Sequence, residues 1–337
     1  MLRFILRRLI LGGVVMFGVA LVTFFIARVI PSDPAAKWAG PRATPEQIAK
    51  ARAELGLDQP LIIQFGTYLL DLAQGNLGYS LRTRRPVALE LAESLPATIE
   101  LVLISTFAAV FIGLPLGVLS AKYKDRLVDH LSRLFSIGAV SLPTFWIGLI
   151  LQLLFARTLQ WFPMGGQLST EIKLTMEIPR ITGFLTLDSL ISGNFVILLD
   201  ALWHLVLPGI TIGVYPVGLV ARMTRSALLE ILSEDYITAA RSYGLQERVI
   251  LWSYALKNSL GPTSTVVALS IGYTLVNTFL TETIFTWPGI GSYVATAVIG
   301  LDYPAIMGVT IFSAFSYVVL NLISDLIVAL DPRVRMS

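Results

Sequence analysis

Apolar residues along this chain gather into runs long enough to leave water altogether. A helix needs about 20 consecutive apolar residues to cross the hydrocarbon core of a bilayer. Six stretches qualify: 9–30, 97–121, 134–156, 201–221, 263–286 and 305–330. The fourth contains His204, Pro208 and Pro216. Proline is tolerated in a membrane helix when neighbours re-satisfy the freed carbonyls, so this run predicts a kinked span. Arg3, Arg7 and Arg8 before the first run resemble the start of a secretory signal. That run is too long, however, and no small-x-small cleavage site stands before Pro31-Ser32-Asp33-Pro34, so a retained helix is expected.

The segments between the spans carry their own pattern. In 31–96, Thr44-Pro45-Glu46-Gln47 has the form of a helix start, with Thr44 as cap, Pro45 first and Gln47 third. Ile48, Ala51 and Leu55 recur at helical spacing and Gly56 can close the helix. A second amphipathic stretch covers 61–72, and Gly75-Asn76-Leu77-Gly78-Tyr79-Ser80 reads as a turn. A small extracytoplasmic subdomain is expected rather than a disordered loop. In 222–262, Ser233 is placed to cap a short helix, 234–243, with Glu234 and Asp235 in its first turn. Gly244 suits the left-handed residue that ends such a helix. A second amphipathic helix, 246–260, follows, with Val249, Trp252, Leu256 and Leu260 on one side. Ile237, Ala240 and Tyr243 make a narrow face of the kind that seats in a protein groove. An interfacial helix on lipid headgroups would favour Lys and Arg along its polar face. The run 230–243 instead holds Glu230, Glu234 and Asp235 against one base, Arg241.

Composition supports the membrane assignment. Hydrophobic residues make up 55%, charged residues 14%, and mean hydropathy is +0.74; a soluble domain carries about 25% charged residues to cover its surface. There is no cysteine for a disulfide, thiolate or cysteine-bound metal, and His130 and His204 are too few and too far apart to suggest a metal site. The net charge of +3 points to basic cytoplasmic loops rather than nucleic acid. Segments 1–8, 122–133, 222–262 and 331–337 hold 3, 4, 5 and 2 basic residues. The short loops on the other side hold only Arg157, Lys173 and Arg180, and the long segment 31–96 counts little. Both termini are therefore expected in the cytoplasm, with 222–262 beside them. The domain order predicted is 1–30, tail and first span; 31–96, outer subdomain; 97–330, five-helix membrane core with the cytoplasmic loop 222–262; 331–337, cytoplasmic tail.

The run Glu234-Asp235-Tyr236-Ile237-Thr238-Ala239-Ala240-Arg241-Ser242-Tyr243-Gly244 resembles the cytoplasmic loop of ABC-importer permeases, whose signature is Glu-Ala-Ala, three residues, then Gly. Thr238-Ala239-Ala240 stand at the Glu-Ala-Ala positions, and Leu256-Lys257-Asn258 falls where a second, looser motif belongs. Further stretches narrow the resemblance to the dipeptide/oligopeptide (peptide/nickel) permease family, first-subunit type. These are Arg7-Arg8-Leu9, Ile30-Pro31-Ser32-Asp33-Pro34, Glu54-Leu55-Gly56-Leu57-Asp58-Gln59-Pro60, Gly75-Asn76-Leu77-Gly78 and Arg222-Met223-Thr224-Arg225-Ser226. Glu282-Thr283-Ile284-Phe285-Thr286-Trp287-Pro288-Gly289-Ile290-Gly291 and Asp302-Tyr303-Pro304 complete the set. The chain departs at Ser242-Tyr243-Gly244 (Ala-Lys-Gly in the family), Tyr254 (often His) and Gly261-Pro262 (Leu-Pro), and loop 160–200 matches nothing assigned.

The resemblance implies an all-α membrane permease of a bacterial inner membrane. It would form half of a pathway completed by a second permease subunit, driven by two cytoplasmic ATPases that hold ATP and Mg, and fed with di- or oligopeptides by an extracytoplasmic binding protein. The residues agree on one point independently: no Gly-x-x-x-x-Gly-Lys-Ser/Thr phosphate loop occurs. Glu234, Asp235, Thr238, Ala239, Ala240, Arg241 and Gly244 are the candidates for coupling to an ATPase. Trp287, Pro288, Gly289 and Gly291 are candidates for an outer gate, and Asn277, Glu282 and Asn321 for the pathway. Glu100 and Glu282 sit near outer span ends and Asp325 near an inner one, where water is expected to reach them; His204 is expected to be a satisfied polar contact. Glutathione, nickel chelates and some sugars remain alternative cargoes. A stand-alone secondary transporter would need charges deep in the spans and inverted repeats, and a membrane enzyme would need converging catalytic groups; neither pattern is found.

Overall fold

The computed structural model of the chain describes residues 2–29, 33–40 and 42–329; Ile30, Pro31, Ser32 and the tail 331–337 lie outside the described residues, as does the side chain of Asp325. In chain order the helices are α1 (Leu2–Val29), α2 (Pro34–Ala39), α3 (Pro45–Glu54), α4 (Leu61–Ala73), α5 (Val87–Ala108), α6 (Leu114–Lys122), α7 (Leu127–Ser141) and α8 (Thr144–Leu151). There follow α9 (Thr170–Thr175), α10 (Leu185–Ile191), α11 (Phe195–Leu232), α12 (Asp235–Ser242), α13 (Glu247–Val249), α14 (Leu256–Ile284), α15 (Ile290–Gly300) and α16 (Tyr303–Ala329). Wider π turns join α5 to α6 at Ala109–Gly113, extend α8 through Gln152–Thr158, and join α13 to α14 at Ile250–Ala255. No strand occurs among the described residues.

Among the described residues five stretches are long and apolar enough to cross a membrane: Ile5–Arg28, Val87–Lys122, Phe195–Leu232, Glu247–Ile284 and Tyr303–Ile323. A sixth forms only if Leu127–Ser141 and Thr144–Thr158, bent by 105°, count as one span. The straight span expected over 134–156 is thus broken. Pro143 excludes the helical conformation for Leu142, which is extended (ψ 137°), so α7 ends at Ser141. The span expected at 201–221 is a 38-residue helix that runs unbroken through Pro208 and Pro216. The separate helix expected over 246–260 is instead the start of Glu247–Ile284, the fifth span in chain order once the bent pair is counted. Its π turn also rotates the buried side: Ile250, Leu251, Ala255 and Leu256 are covered, whereas Val249, Trp252 and Leu260 are exposed.

The described chain divides into two compact units. The first comprises Met1–Leu95 and Ser292–Val318. Within it α3 starts as its sequence dictates: the Thr44 hydroxyl accepts from the Gln47 N–H, and the Gln47 side chain accepts from the Thr44 N–H. Gly56 follows with φ +63°. Helix α4 lies against α1, the Phe65 ring meeting Phe17 and Phe24 at centroid distances of 5.9 and 5.1 Å. Asp302, 1% exposed, fastens the 80–82 turn by accepting from the Ser80 hydroxyl (2.5 Å) and the Leu81 and Arg82 N–H groups (3.0 and 3.1 Å).

The second unit comprises Pro96–Gly291 and Val319–Ser337. Apolar tails outside a protein offer no hydrophobic drive for helices to associate in lipid, so close backbone approach takes over. A Cβ at Gly117 would lie 2.6 Å from the Ala221 carbonyl oxygen, and one at Gly218 would lie 2.6 Å from the Ala139 Cβ. Glycine there seats α6 and α7 directly on α11.

Candidate functional site

The inner-face motif folds into a short helix held between two long ones. Ser233 does not cap it. Ser233 ends α11, its hydroxyl donating to the Glu230 carbonyl at 2.6 Å, and Glu234 takes the N-cap position without a side-chain bond. At the other end Gly244 adopts φ +77°. The Gly244 N–H donates to the Arg241 carbonyl (2.9 Å) and the Leu245 N–H to the Ala240 carbonyl (3.2 Å), a double closure that satisfies the last turn of α12. Arg241 then pairs with Glu247 at 2.8 Å across the bend, and Asn258 donates to the Tyr236 hydroxyl at 2.9 Å.

Of the face expected to enter a partner's groove, Ile237 and Ala240 are turned inward and Tyr243 is not. Ile237 is fully buried and Ala240 is 7% exposed. They pack with Val118 and Ala121 of α6, Leu228 of α11, and Ile250, Leu251, Ala255 and Leu256 at the start of the fifth span. A 3.6-residue period shows that a helix has an apolar side but not whether the cover is this chain or another. The outward face carries Glu234, Asp235, Thr238, Ala239, Arg241 and Gly244, together with Tyr243, which is 87% exposed.

At the other end of these helices, residues 282–291 form a tight, internally bonded turn. Glu282, expected near water, has no exposed surface. Its carboxylate accepts from the Thr98 hydroxyl (2.7 Å) and the Gly291 N–H (2.6 Å), while the Thr98 oxygen accepts from the Ile290 N–H (2.9 Å). A Cβ at Gly289 would overlap that carboxylate, and one at Gly291 would lie 2.6 Å from the Phe279 Cα. Trp287 is 1% exposed and donates its indole N–H to the Ala97 carbonyl (2.9 Å) among Leu101, Leu205 and Ile212. Pro288 joins these two anchored points. Trp287, Gly289 and Gly291 therefore fix the turn, and Glu282 is its buried internal ligand.

Several polar anchors went unread in the sequence. Asp129, fully buried, receives both Nε and Nη2 of Arg225 (2.6 and 2.8 Å), the Ser120 hydroxyl (2.6 Å) and the Asp125 N–H (3.0 Å). Its partner lies 96 positions away, and the only signal was Arg225 within the Arg222–Ser226 match. Glu100 is also buried rather than hydrated, accepting from the Thr186 N–H and hydroxyl (2.8 Å each) and from Gln167 (3.1 Å). In the unassigned outer loop, Asp188 gathers the N–H groups of Ile181, Thr182 and Gly183 and the Thr182 hydroxyl. Burial works against ionisation there, but those donors outweigh it and hold the carboxyl below the ordinary range. His204 is a satisfied contact as expected, with Nδ1 2.8 Å from the Asp200 carbonyl oxygen. Asn277 is exposed on α14, its amide donating to the Tyr273 carbonyl (2.8 Å), beside the stacked rings of Tyr215 and Tyr273. Asn321 is half-buried on α16.

Apolar rods of this length, clamped at one end by a short surface helix, define a polytopic membrane protein. Residues 113–336 match the family described as binding-protein-dependent transport system inner membrane component, and residues 1–102 match its N-terminal companion family. The chain belongs to this family of ABC-transporter permeases and is a multi-pass inner-membrane protein. It is 46% identical over 321 residues, 95% of this chain and 94% of the relative, to the probable D,D-dipeptide transport system permease protein DdpB of Escherichia coli. It is 40% identical over 336 residues to the dipeptide transport system permease protein DppB of Alkalihalophilus pseudofirmus (99% of this chain, 100% of the relative). With the di/tripeptide transport system permease protein DppB of Pseudomonas aeruginosa it shares 42% over 337 residues, 99% of both chains.

Proposed function

We propose that this permease forms half of the translocation pathway for dipeptides and short oligopeptides in an ATP-driven importer. A second, related permease supplies the other half, and an extracytoplasmic binding protein delivers the peptide. Two cytoplasmic ATPases hold ATP and Mg and dock on the outward face of α12. The observation that carries the reading is the placement of α12: its inward residues Ile237 and Ala240 are keyed to α6, α11 and the fifth span, while Thr238, Ala239 and Tyr243 remain outside. A push on that outward face reaches three membrane helices through one packed cluster. The names of the relatives, all peptide permeases, support the cargo. Exposed Asn277 and Tyr273 support α14 as the pathway side, because a polar group facing lipid is costly.

The test uses Ala239→Trp and Tyr243→Ala, which change the outward face and leave the buried cluster intact. Both variants are expected to keep the thermal stability of the permease pair while losing ATPase co-purification and peptide uptake. Unchanged co-purification and uptake in both would overturn the proposed docking face. Ala240→Arg is the wrong probe, since it would disrupt the chain's own packing.

A further inference from the structure

The first compact unit carries two hollows that share Leu77 and continue one another along α1, α4 and α16. The deeper hollow, ≈ 520 Å³, has only apolar lining residues, among them Met16, Phe17, Ala20, Leu72, Ile311 and Phe315. The second, ≈ 180 Å³, adds a polar mouth formed by Arg28, Tyr68, Asp71, Asn76 and Tyr303. Polarity is therefore graded the same way on two antiparallel helices: Met16 to Arg28 on α1, and Phe315 to Tyr303 on α16. With the orientation that the Lys and Arg distribution sets, the mouth lies at the outer membrane surface and the apolar depth lies in the bilayer. Twelve residues of helix span about 18 Å, close to the roughly 15 Å of one hydrocarbon leaflet.

The mouth holds groups that await a ligand. Tyr303 is 93% buried and its hydroxyl has no hydrogen-bond partner among the described residues. A buried hydroxyl without a hydrogen bond is costly to leave so. Among the described residues Arg28 forms no ion pair; its guanidinium lies over the Phe24 ring at 5.3 Å. Asp71 uses Oδ1 on the Asn76 amide at 3.2 Å and leaves Oδ2 open. One cation and one anion thus stand together above an apolar slot.

We propose that this groove is a site for one outer-leaflet phospholipid of the zwitterionic ethanolamine type. An acyl chain fills the deep hollow, the phosphate meets Arg28 and accepts from the Tyr303 hydroxyl, and the ammonium meets Asp71. A soluble peptide would match the charges but leave the larger apolar hollow empty, and an anionic headgroup would leave Asp71 unmatched. The lipid would then bridge α1, α4 and α16, tying the outer subdomain to the spans beneath it.

The test reconstitutes the assembled transporter in nanodiscs of equal parts phosphatidylethanolamine and phosphatidylglycerol, followed by detergent extraction and counting of retained lipid by mass spectrometry. The wild type is expected to retain phosphatidylethanolamine in clear excess over phosphatidylglycerol. Arg28→Gln, which removes the phosphate contact, and Ala73→Trp, which fills the slot from an exposed position, are each expected to reduce it about tenfold, the scale of one charge-assisted contact. Retention at the bulk ratio, equal retention in wild type and both variants, or detergent or peptide alone in the groove would overturn the proposal. If either variant fails to assemble, the wild-type ratio decides by itself.

Discussion

Arg225 and Asp129 illustrate how single residues hold the inner ends of the spans. The pair is bidentate, and Asp129 has four donors around two oxygens, so its charge is matched on every side. Removing one member of a buried pair leaves the other uncompensated, at a cost of about 3–5 kcal/mol. Arg225→Met is therefore expected to lower the stability of the assembled complex by about that amount, measured as denaturant-induced loss of assembly, whereas a double Arg225→Met, Asp129→Leu change recovers most of it. Glu282 works in the same manner at the outer turn, with backbone N–H and hydroxyl donors in place of a cation. Neither role was legible in advance. The sequence marks a carboxylate near a span end, but the donors that cover it come from residues 9, 96 and 184 positions away. Asp302 and Gly289–Gly291 belong with them. Their motifs were visible as matches to a family, and the structure gives the reason they are there: each fixes a turn.

At the scale of elements, most local readings held, although Ser233 closes α11 instead of capping α12. The capping box at Thr44 and Gln47 and the left-handed Gly244 involve neighbours a few residues apart, so the sequence contains all their partners. The inward side of α12 and the course of 246–260 depend on packing from distant segments, and there the pattern misled. The break at Leu142–Pro143 lay between: the rule that a residue before proline leaves the helix was available, but a long apolar run outweighed it. The closure of α12 makes its own prediction. Gly244 has open space around it, so a Cβ there meets no clash and pays only for its left-handed backbone, about 1–2 kcal/mol. Gly244→Ala is expected to speed amide exchange in α12 about five- to thirtyfold while the spans keep their protection. Unaltered exchange would show that the bend does not depend on glycine.

For the whole molecule, the question is how a chain without a phosphate loop performs active transport. Shifting a two-state pathway from 1:99 to 99:1 takes about 5.5 kcal/mol of differential binding. In the proposed assembly a partner that closes and opens supplies it, because lipid contacts differ little between states. Reconstituted alone in vesicles, the chain is expected to accumulate no peptide under an imposed proton gradient; with its partner proteins and ATP, accumulation is expected. Uptake by the isolated chain would refute this division of labour.

Helix α12 sits between two 38-residue stretches, Phe195–Leu232 before it and Glu247–Ile284 after it. Each rod runs about 57 Å, well beyond the roughly 30 Å hydrocarbon slab, so its inner end stands clear of the lipid as a handle. A crank joined to two shafts cannot turn one and leave the other still. Under the proposed docking, a stroke delivered at the cytoplasmic surface is expected to reach both rods together and tilt them as a pair.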